Sequence, residues 1–294
     1  MRSETEMMEL ILEGARQDQR VIAAYLKGSR TNPNVPKDPY RDFDVMYVVT
    51  ETESFRRDTR WLDRFGTILL KQEQGDELGF GERFGLRDCF DQLYSWLLLF
   101  DDGNRIDIGV ETVEHMERGA TRNKLFLPLL DKVGCLPQLP PPSDEDFHVK
   151  APAEKRYQGC CNGFFWSLCD VVKGCMREEL PYAMAVYHTQ ARPMLEQMLE
   201  WYAGCETGFS LSCGKAHRFF QQYLPEELYE AFTHTYAAGS FQTLEDSTRS
   251  ARQLFRKTAL LVADRLFFSY PDGTEEGFLR YQQLMSDIAE TETR

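Results

Sequence analysis

Long apolar runs and a hydrophobic leader are both missing from this 294-residue sequence. A membrane-spanning helix needs roughly 20 consecutive apolar residues. The longest apolar-rich runs, 97–100 and 259–268, are short or interrupted by charge. The first six residues carry charges of both signs, which is not the pattern of a secretory signal. These absences predict a cytoplasmic protein that has no membrane partner.

Histidine is scarce, and the residue spacings typical of metal sites are missing. The five histidines form no H-x-x-x-H pair, and the eight cysteines form no C-x-x-C pair. Both facts argue against a transition-metal enzyme. In a chain of this length without a signal segment, we interpret the cysteines as reduced core residues.

Basic residues are also few, since 34 Lys and Arg stand against 47 Asp and Glu and give a formal net charge of −13. Proteins that bind nucleic acids neutralise phosphates with clustered Lys and Arg, so a nucleic-acid partner is not expected. An acidic cleft concentrates cations, so a cationic partner is favoured. The sequence indicates no particular oligomeric state.

A proline-rich segment, 136–152, divides the chain, because its prolines can continue neither a helix nor a central strand. Residues 1–135 mix helical and strand patterns, whereas residues 153–294 show helical periodicity. We therefore predict an α+β protein with three parts: a first domain over 1–135, a linker over 136–152 and an all-α helical domain over 153–294.

The first domain carries clear start and turn signals. Ser3-x-x-Glu6 is typical of a capping box that opens a helix. Ser54 is predicted to cap a helix that ends at Phe65. Strands and a hairpin with an Asp/Gly/Asn turn follow from β-branched and alternating patterns: strands over 21–26, 43–49 and 67–70, and the hairpin over 93–110.

In the second domain, apolar residues recur at helical spacing between prolines. The predicted helices cover 153–178, 183–202, 215–223, 225–235, 244–267 and 274–288. Four aromatic residues on these helices are expected in the core rather than against a nucleotide base: Trp166, Trp201, Phe164 and Phe165.

Two pairs of charged residues carry the predicted chemistry. Asp42 and Asp44 lie two residues apart at the start of a strand, so both carboxylates point to one face. Arg105 and Asp107 repeat this spacing on another strand. If the two strands pair, three carboxylates converge, and such hard oxygen ligands favour Mg²⁺. Two Mg²⁺ ions about 3.5–4 Å apart can activate a hydroxyl and stabilise a leaving pyrophosphate.

Gly28 and Ser29 end the first predicted strand. A glycine lets the backbone approach a phosphate, and exposed N–H groups with a serine hydroxyl can hold it. Arg30 adds a guanidinium group that fits phosphate oxygens. Taken alone, Gly28 and Ser29 are more typical of an ordinary turn, and Asp42 and Asp44 of solvated surface residues. The combination of the two is more specific.

The combination resembles a known family. Residues 26–29 (LKGS), followed after twelve residues by 42–45 (DFDV), are similar to the signature of the polymerase-β-type nucleotidyltransferase superfamily. Residues 102–107 (DGNRID) and 214–219 (GKAHRF) narrow the resemblance to the aminoglycoside 6-adenylyltransferases, the streptomycin-modifying branch. The resemblance covers nearly the whole chain and implies a polymerase-β-like domain with a mixed sheet, followed by helices.

The resemblance also implies a reaction, in which a hydroxyl of streptomycin attacks the α-phosphate of ATP and pyrophosphate leaves. Antibiotic resistance would be the result. Asp42 and Asp44 would bind Mg²⁺, and Asp107 would complete the metal site or accept the hydroxyl proton. Gly28, Ser29 and Arg30 would hold the β- and γ-phosphates, and Lys215 would reach the triphosphate from the helical domain.

A cationic aminoglycoside needs carboxylates, and the guanidinium groups of streptomycin suit bidentate pairing. Asp170, Glu178 and Glu179 are expected on the first long helix of the second domain. Glu179 is preferred because its Arg-x-Glu-Leu neighbourhood resembles that of the family. An exposed helix residue is the competing interpretation for each of the three. His188 and His217 are interpreted as structural.

Two other functions stay open on the sequence. The same chemistry would serve a different acceptor, either another small hydroxylated molecule or a protein side chain. A catalytically silent module that binds a nucleotide or ligand would keep the fold without turnover, although three intact aspartates argue against it. ATP is preferred to another nucleotide only through the resemblance. The glycine-rich segment 75–85 is interpreted as a surface loop rather than a lid.

Overall fold

The computed structural model describes residues 1–74, 89–120 and 124–292. These residues divide into two compact units, Met1–Asp146 and Phe147–Arg294. The division falls within the proline-rich segment 136–152. The predicted loop 75–85 lies outside the described residues.

A six-stranded mixed sheet forms the centre of the first unit, with the strand order β3-β4-β5-β2-β1-β6. β2 and β5 run parallel, and the other neighbouring strands are antiparallel. The predicted strands 21–26 and 43–49 are confirmed as β1 and β2, the hairpin as β4 and β5, and the third predicted strand, 67–70, corresponds to β3. The strands are β1 Val21–Lys27, β2 Phe43–Val49, β3 Ile68–Glu73, β4 Leu93–Phe100, β5 Arg105–Thr112 and β6 Phe126–Asp131.

The two faces of the sheet have different roles, because successive side chains of a strand point to opposite faces. One face, which includes Phe43 and Tyr47, packs against helix α1 (Glu4–Gln17) and the 3-10 segment Thr59–Phe65. The other face carries Met46 and Val48 and is covered at one end by Met116 of helix α3 (Val113–Ala120). Asp44 and Asp107 lie on this second face, at the opposite end of the strands.

Local signals explain most boundaries in the first unit. Ser3 and Glu6 form the predicted capping box at the start of α1. The helix predicted from Ser54 to Phe65 is wrong in its extent. Helix α2 covers only Glu53–Arg57, because Asp58 is extended and its side chain caps the separate 3-10 segment that follows. β3 begins and ends later than predicted.

The second unit is helical, so the predicted α+β fold with a helical second part is confirmed. Stacking of Phe164 on Phe255, with ring centroids 4.0 Å apart, lies at its core. The helices are α4 Glu154–Met176, α5 Leu180–Val186, α6 Arg192–Thr207, α7 Phe220–Tyr223, α8 Glu226–Thr233, α9 Phe241–Leu266 and α10 Asp272–Glu292.

Several details of the second unit differ from the predictions. The predicted helix 183–202 begins earlier and is divided into α5, a π-helical turn over Tyr187–Ala191 and α6, with Pro193 in the first turn of α6. The predicted helix 215–223 is broken into a 3-10 turn and α7. Trp166 is 70% exposed, so its assignment to the core is wrong, whereas the other three aromatic residues are buried.

The eight cysteines all carry free thiols, and three of them are buried. This agrees with the interpretation that they are reduced.

Within the described residues, no helix combines the length and the apolar character that crossing a membrane requires.

Candidate active site

The turn after β1 brings the backbone of Gly28 against a carboxylate. Gly28 has φ +72°, and a Cβ atom at this position would lie 2.3 Å from Oδ2 of Asp44. Both the left-handed conformation and the close approach therefore require glycine. The chain continues into a 3-10 turn over Gly28–Arg30. The Ser29 hydroxyl makes no hydrogen bond within the described part of the chain.

Strand register brings two of the predicted carboxylates side by side. Asp44 on β2 pairs with Asp107 on the parallel strand β5 and with Lys27 on the antiparallel strand β1. Asp42 directly precedes β2 and, at a two-residue spacing from Asp44, belongs to the same face. β2 and β5 are neighbours in the sheet, which is the strand pairing that the predicted convergence of carboxylates required.

The carboxyl group of Asp44 has a perturbed pKa. Burial and the negative charge of Asp107 raise its pKa to about 6, against the opposing effect of the Lys27 ammonium. No hydrogen bond to its carboxylate exists among the described residues. Because burial and a like charge outweigh the nearby ammonium group, a cation or a donor from a ligand would stabilise the charged form of Asp44.

Arg105 places a positive charge beside the carboxylates of Asp107 and Asp42. Its Nε and Nη2 each donate to one oxygen of the Asp107 carboxylate at 2.8 Å, and its Nε lies 3.6 Å from Oδ2 of Asp42. The hydrogen bond to Asp107 raises the pKa of Arg105. The spacing of Arg105 and Asp107 indicated a shared face, but the sequence did not indicate that the guanidinium would hold both of these carboxylates.

Arg30 contacts the protein rather than the open face. Its guanidinium donates to the backbone carbonyls of Arg41 at 2.6 Å and Asp42 at 2.9 Å, and it forms an ion pair with Glu4 at 3.2 Å. It also covers the ring of Phe43 at 3.5 Å, and its side chain is only 5% exposed. Burial lowers its pKa. These contacts hold the backbone that leads into β2, and the role predicted for Arg30 at the phosphates stays a prediction.

Lys27 is a residue that sequence reasoning did not single out. It lines the same face beside Asp44, because both lie at matching positions in the β1–β2 register. The two-residue alternation along β1 was the signal that would have found it, because Leu26 faces the core and Lys27 therefore faces the opposite side. It places an ammonium group next to the carboxylates at the end of the sheet.

The chemistry of the donor set suits Mg²⁺, which usually takes one or two carboxylates and completes its coordination with waters and substrate phosphates. No group of three or more His, Cys, Asp or Glu side chains within residues 1–74, 89–120 and 124–292 is arranged to hold a metal ion. Arg105 already occupies both oxygens of Asp107. Asp42 and Asp44 are therefore the better-fitting pair, and Asp107 as a metal ligand stays a prediction.

The carboxylates predicted for a cationic acceptor lie near the end of α4. Asp170 is on the helix and forms an ion pair with Lys173 at 3.0 Å. The expectation that all three share this helix is wrong, because α4 ends at Met176. Glu178 has φ +58°, which leaves the helical conformation, and Glu179 is the N-cap of α5. Both glutamates are exposed, and their predicted role stays a prediction.

Lys215 lies in an unusual turn rather than at the start of a regular helix. Ala216 and His217 both have positive φ, at +53° and +60°, directly after Gly214 at +75°. Non-glycine residues in this conformation cost energy and are found where the surroundings hold them. Nε2 of His217 lies 3.3 Å from Oε1 of Glu200, which ties the turn to α6. Lys215 itself is exposed.

The known proteins with similar sequences belong to the family that the motifs of this chain resemble. The family model described as streptomycin adenylyltransferase matches residues 1–285. An aminoglycoside 6-adenylyltransferase of Campylobacter jejuni is 36% identical over 271 residues, 92% of each chain. One from Bacillus subtilis (strain 168) is 34% identical over 284 residues, 96% of this chain and 98% of the relative. A crystal structure of an aminoglycoside 6-adenyltransferase from Bacillus subtilis has 28% identity, covers 97% of this chain and 99% of its own, and gives a TM-score of 0.47.

Proposed function

This chain belongs to the streptomycin adenylyltransferase family, and from that premise we propose that it transfers AMP from ATP to a hydroxyl group of an aminoglycoside, with streptomycin as the acceptor. The product would be an adenylylated antibiotic, and the consequence would be resistance. A cytoplasmic site of action fits a donor that is the cell's ATP.

The observation that carries the proposal is the row of charged side chains at one end of the sheet. Asp44 and Asp107 are paired across β2 and β5, and Gly28 lies against Asp44. Burial and the neighbouring Asp107 carboxylate raise the pKa of Asp44 in spite of the Lys27 ammonium beside it. Mg²⁺ bound together with the triphosphate of ATP would add positive charge beside this carboxylate.

In the proposed reaction, the acceptor oxygen attacks the α-phosphorus in line with the departing oxygen. The new bond joins the acceptor oxygen to the α-phosphorus, and the bond to the bridging oxygen of the β-phosphate breaks, so pyrophosphate leaves with the electron pair. The hydroxyl proton passes to a carboxylate, for which Asp107 is our candidate. Bound Mg²⁺ supplies neutralisation of the phosphate charge.

The remaining residues would bind and orient the substrates. Asp42 and Asp44 would hold Mg²⁺, and the backbone N–H groups of the Gly28–Arg30 turn with the Ser29 hydroxyl would contact the β- and γ-phosphates. Lys215 is proposed as a further contact to the triphosphate. Most of the rate enhancement would come from this positioning and from electrostatic stabilisation.

The acceptor would be held by negative charge. Asp170, Glu178 and Glu179 stay our candidates for contacts with its guanidinium or ammonium groups, with Glu179 preferred. Their positions around the end of α4 are compatible with binding to a flexible, polyvalent cation, because the two glutamates are exposed.

Pyrophosphate release tests the proposal. Purified protein is incubated with ATP, Mg²⁺ and streptomycin, and compared with a sample lacking the antibiotic and with the variant Asp44→Asn. We expect release that requires both streptomycin and Asp44, with the variant lower by at least about 100-fold, since a carboxylate at the transferring phosphate is lost.

Two other outcomes would change the conclusion. Release with a different hydroxylated compound, but not with streptomycin, would keep the chemistry and replace the acceptor. Absence of release across a broad panel of acceptors, despite measurable ATP binding, would contradict an enzymatic function and favour a silent nucleotide-binding module.

A further inference from the structure

A cavity of about 190 Å³ opens on the same sheet face as the paired aspartates, within the first unit. Its walls come from the end of β1, the middle of β2, the start of β4, the end of β5, helix α3 and the start of β6. It is lined by Tyr25, Lys27, Met46, Leu93, Glu111, His115, Gly119, Leu125 and Phe126. None of these lining residues is among the carboxylates already proposed to bind the acceptor.

Strand register connects this cavity to the reaction centre. Lys27 lines the cavity and pairs with Asp44. Two residues beyond Asp44 on the same face of β2, Met46 pairs with Gly109 of β5. A Cβ atom on Gly109 would lie 2.7 Å from the sulfur of Met46. Glu111 lies four residues beyond Asp107 on β5, about 13 Å away at 3.3 Å per residue. A ligand of a few rings that reaches Asp107 would therefore extend to Glu111.

Glu111 is the chemically unusual residue in the cavity. It is only 3% exposed, and its carboxylate accepts hydrogen bonds from the Tyr25 hydroxyl and, at 2.7 Å, from Nδ1 of His115. No Arg or Lys within the described ranges forms an ion pair with it. Burial of a carboxyl group against a phenol and an imidazole carries a desolvation cost, which a charged ligand group can offset.

The Glu111 carboxylate can accept further hydrogen bonds. A carboxylate offers about four lone-pair directions, and two are used by Tyr25 and His115. The second ring nitrogen of His115, Nε2, has no hydrogen-bond partner among residues the structure describes, and the side chain is 28% exposed. The stacked rings of Tyr25 and Phe126, 4.1 Å apart, add an apolar wall. The cavity thus combines a buried negative charge, a polar edge and a flat wall.

We propose that this cavity is an acceptor subsite, in which Glu111 pairs with a guanidinium or ammonium group of the aminoglycoside and His115 contacts one of its hydroxyls. The inference rests on the proposed function for the identity of the ligand. A planar guanidinium fits the open lone pairs and supplies the permanent positive charge that no Lys or Arg among the described residues provides. Asp107 and Glu111 are about 13 Å apart along β5, so an acceptor with one end at Glu111 would have its opposite end at Asp107.

The test compares Glu111→Gln with Glu114→Gln, a matched change on the exposed side of α3. Glu111→Gln keeps the shape of the side chain and removes its charge. We expect the KM for streptomycin to rise by about 10- to 100-fold, as the loss of a charge-assisted contact predicts. The KM for ATP should stay within about twofold, and Glu114→Gln should match the parent protein.

Leu93→Phe provides a second variant, because Leu93 lines the cavity as the cross-strand partner of Glu111, and a larger side chain there takes up cavity space while the carboxylate is kept. The same selective rise in the KM for streptomycin is expected. Thermal unfolding of each variant identifies any loss of the fold. Unchanged KM values for streptomycin in both variants, or an equal rise in the KM for ATP, would overturn the subsite.

Direct calorimetric titration of streptomycin without ATP separates this inference from the proposed function. Binding that is weakened by Glu111→Gln, in a protein that shows no turnover, would support the subsite and contradict the transferase. Turnover of streptomycin with the affinity unaffected by Glu111→Gln would do the reverse.

Discussion

Gly28 shows how a single atom constrains the candidate active site. Its α-carbon faces the Asp44 carboxylate, and there is no space for a side chain between them. At φ +72° any other residue would also be in a left-handed conformation, which costs roughly 1–2 kcal/mol. The first effect acts on the position of Asp44, and the second acts on the stability of the turn.

Gly28→Ala is predicted to reduce kcat/KM by about 100-fold, because the new methyl group displaces the Asp44 carboxylate and misplacement of reacting groups by about 1 Å has effects of this size. Gly134→Ala is the matched control. Gly134 has φ +76°, and a Cβ atom there would meet nothing within 4 Å.

Both glycine variants should therefore lose a similar free energy of unfolding, measured by urea titration, but only Gly28→Ala should lose activity. Equal activity of the two variants would show that close packing at Asp44 is not required for catalysis.

At the scale of elements, the β4–β5 hairpin determines where Asp107 lies. Asp102 in its turn accepts hydrogen bonds from the backbone N–H and Nε of Arg2 and from the backbone N–H and side-chain amide of Asn104. The turn is thereby tied to the N-terminal end of α1. The hydrogen bonds from Arg2 hold the pKa of Asp102 well below its usual range.

Asp102→Ala is predicted to lower the free energy of unfolding by about 1–3 kcal/mol at pH 7, because several charge-assisted hydrogen bonds are lost. Since the pKa of Asp102 is lower in the folded state than its ordinary value of 3.8, this contribution is present above that pH and is lost as the pH falls below it. The difference between parent and variant should therefore shrink as unfolding is measured at successively lower pH values below 4.

Asp101→Ala is the control for this prediction. Asp101 is the exposed neighbour in the same turn, and among the residues that the structure describes only its backbone N–H is engaged, by the carbonyl of Thr67. A loss of stability for Asp101→Ala as large as that for Asp102→Ala would contradict the assignment of the effect to the contacts of Asp102.

At the scale of the whole molecule, the net charge of −13 acts on any charged substrate. A strongly acidic protein attracts cations over distances comparable to the Debye length, which falls from about 30 Å at 0.01 M to about 10 Å at 0.1 M salt. A cationic acceptor is concentrated near the surface at low ionic strength, whereas the anionic nucleotide is not.

The KM for streptomycin is therefore predicted to rise by roughly 3- to 10-fold as KCl is increased from 0.02 to 0.5 M, because screening weakens this attraction. kcat at saturating streptomycin should change little, and the KM for ATP should not rise in parallel. Steady-state kinetics over a salt series provides the measurement. A KM for streptomycin that is independent of salt would show that long-range charge plays no part in acceptor binding.

Much of the architecture was determined by local sequence patterns alone. β1, β2 and the hairpin follow from alternation and turn residues, and the capping box of α1 follows from Ser3 and Glu6, because each depends on neighbours a few residues apart. The family resemblance depends on short motifs of the same kind. Strand β6 was missed because Pro128 weakens its strand pattern, and such a residue is tolerated at the sheet edge that β6 occupies.

What only the tertiary structure decided involves contacts between distant parts of the chain. Arg30 contacts Glu4 and Phe43, although its sequence neighbourhood favoured a phosphate. Glu111 meets Tyr25, 86 positions away, across the face of the sheet. The reason is physical: spacing along a strand determines which face a side chain occupies, but its partners depend on strand order and register. Those are determined by the packing of the whole sheet.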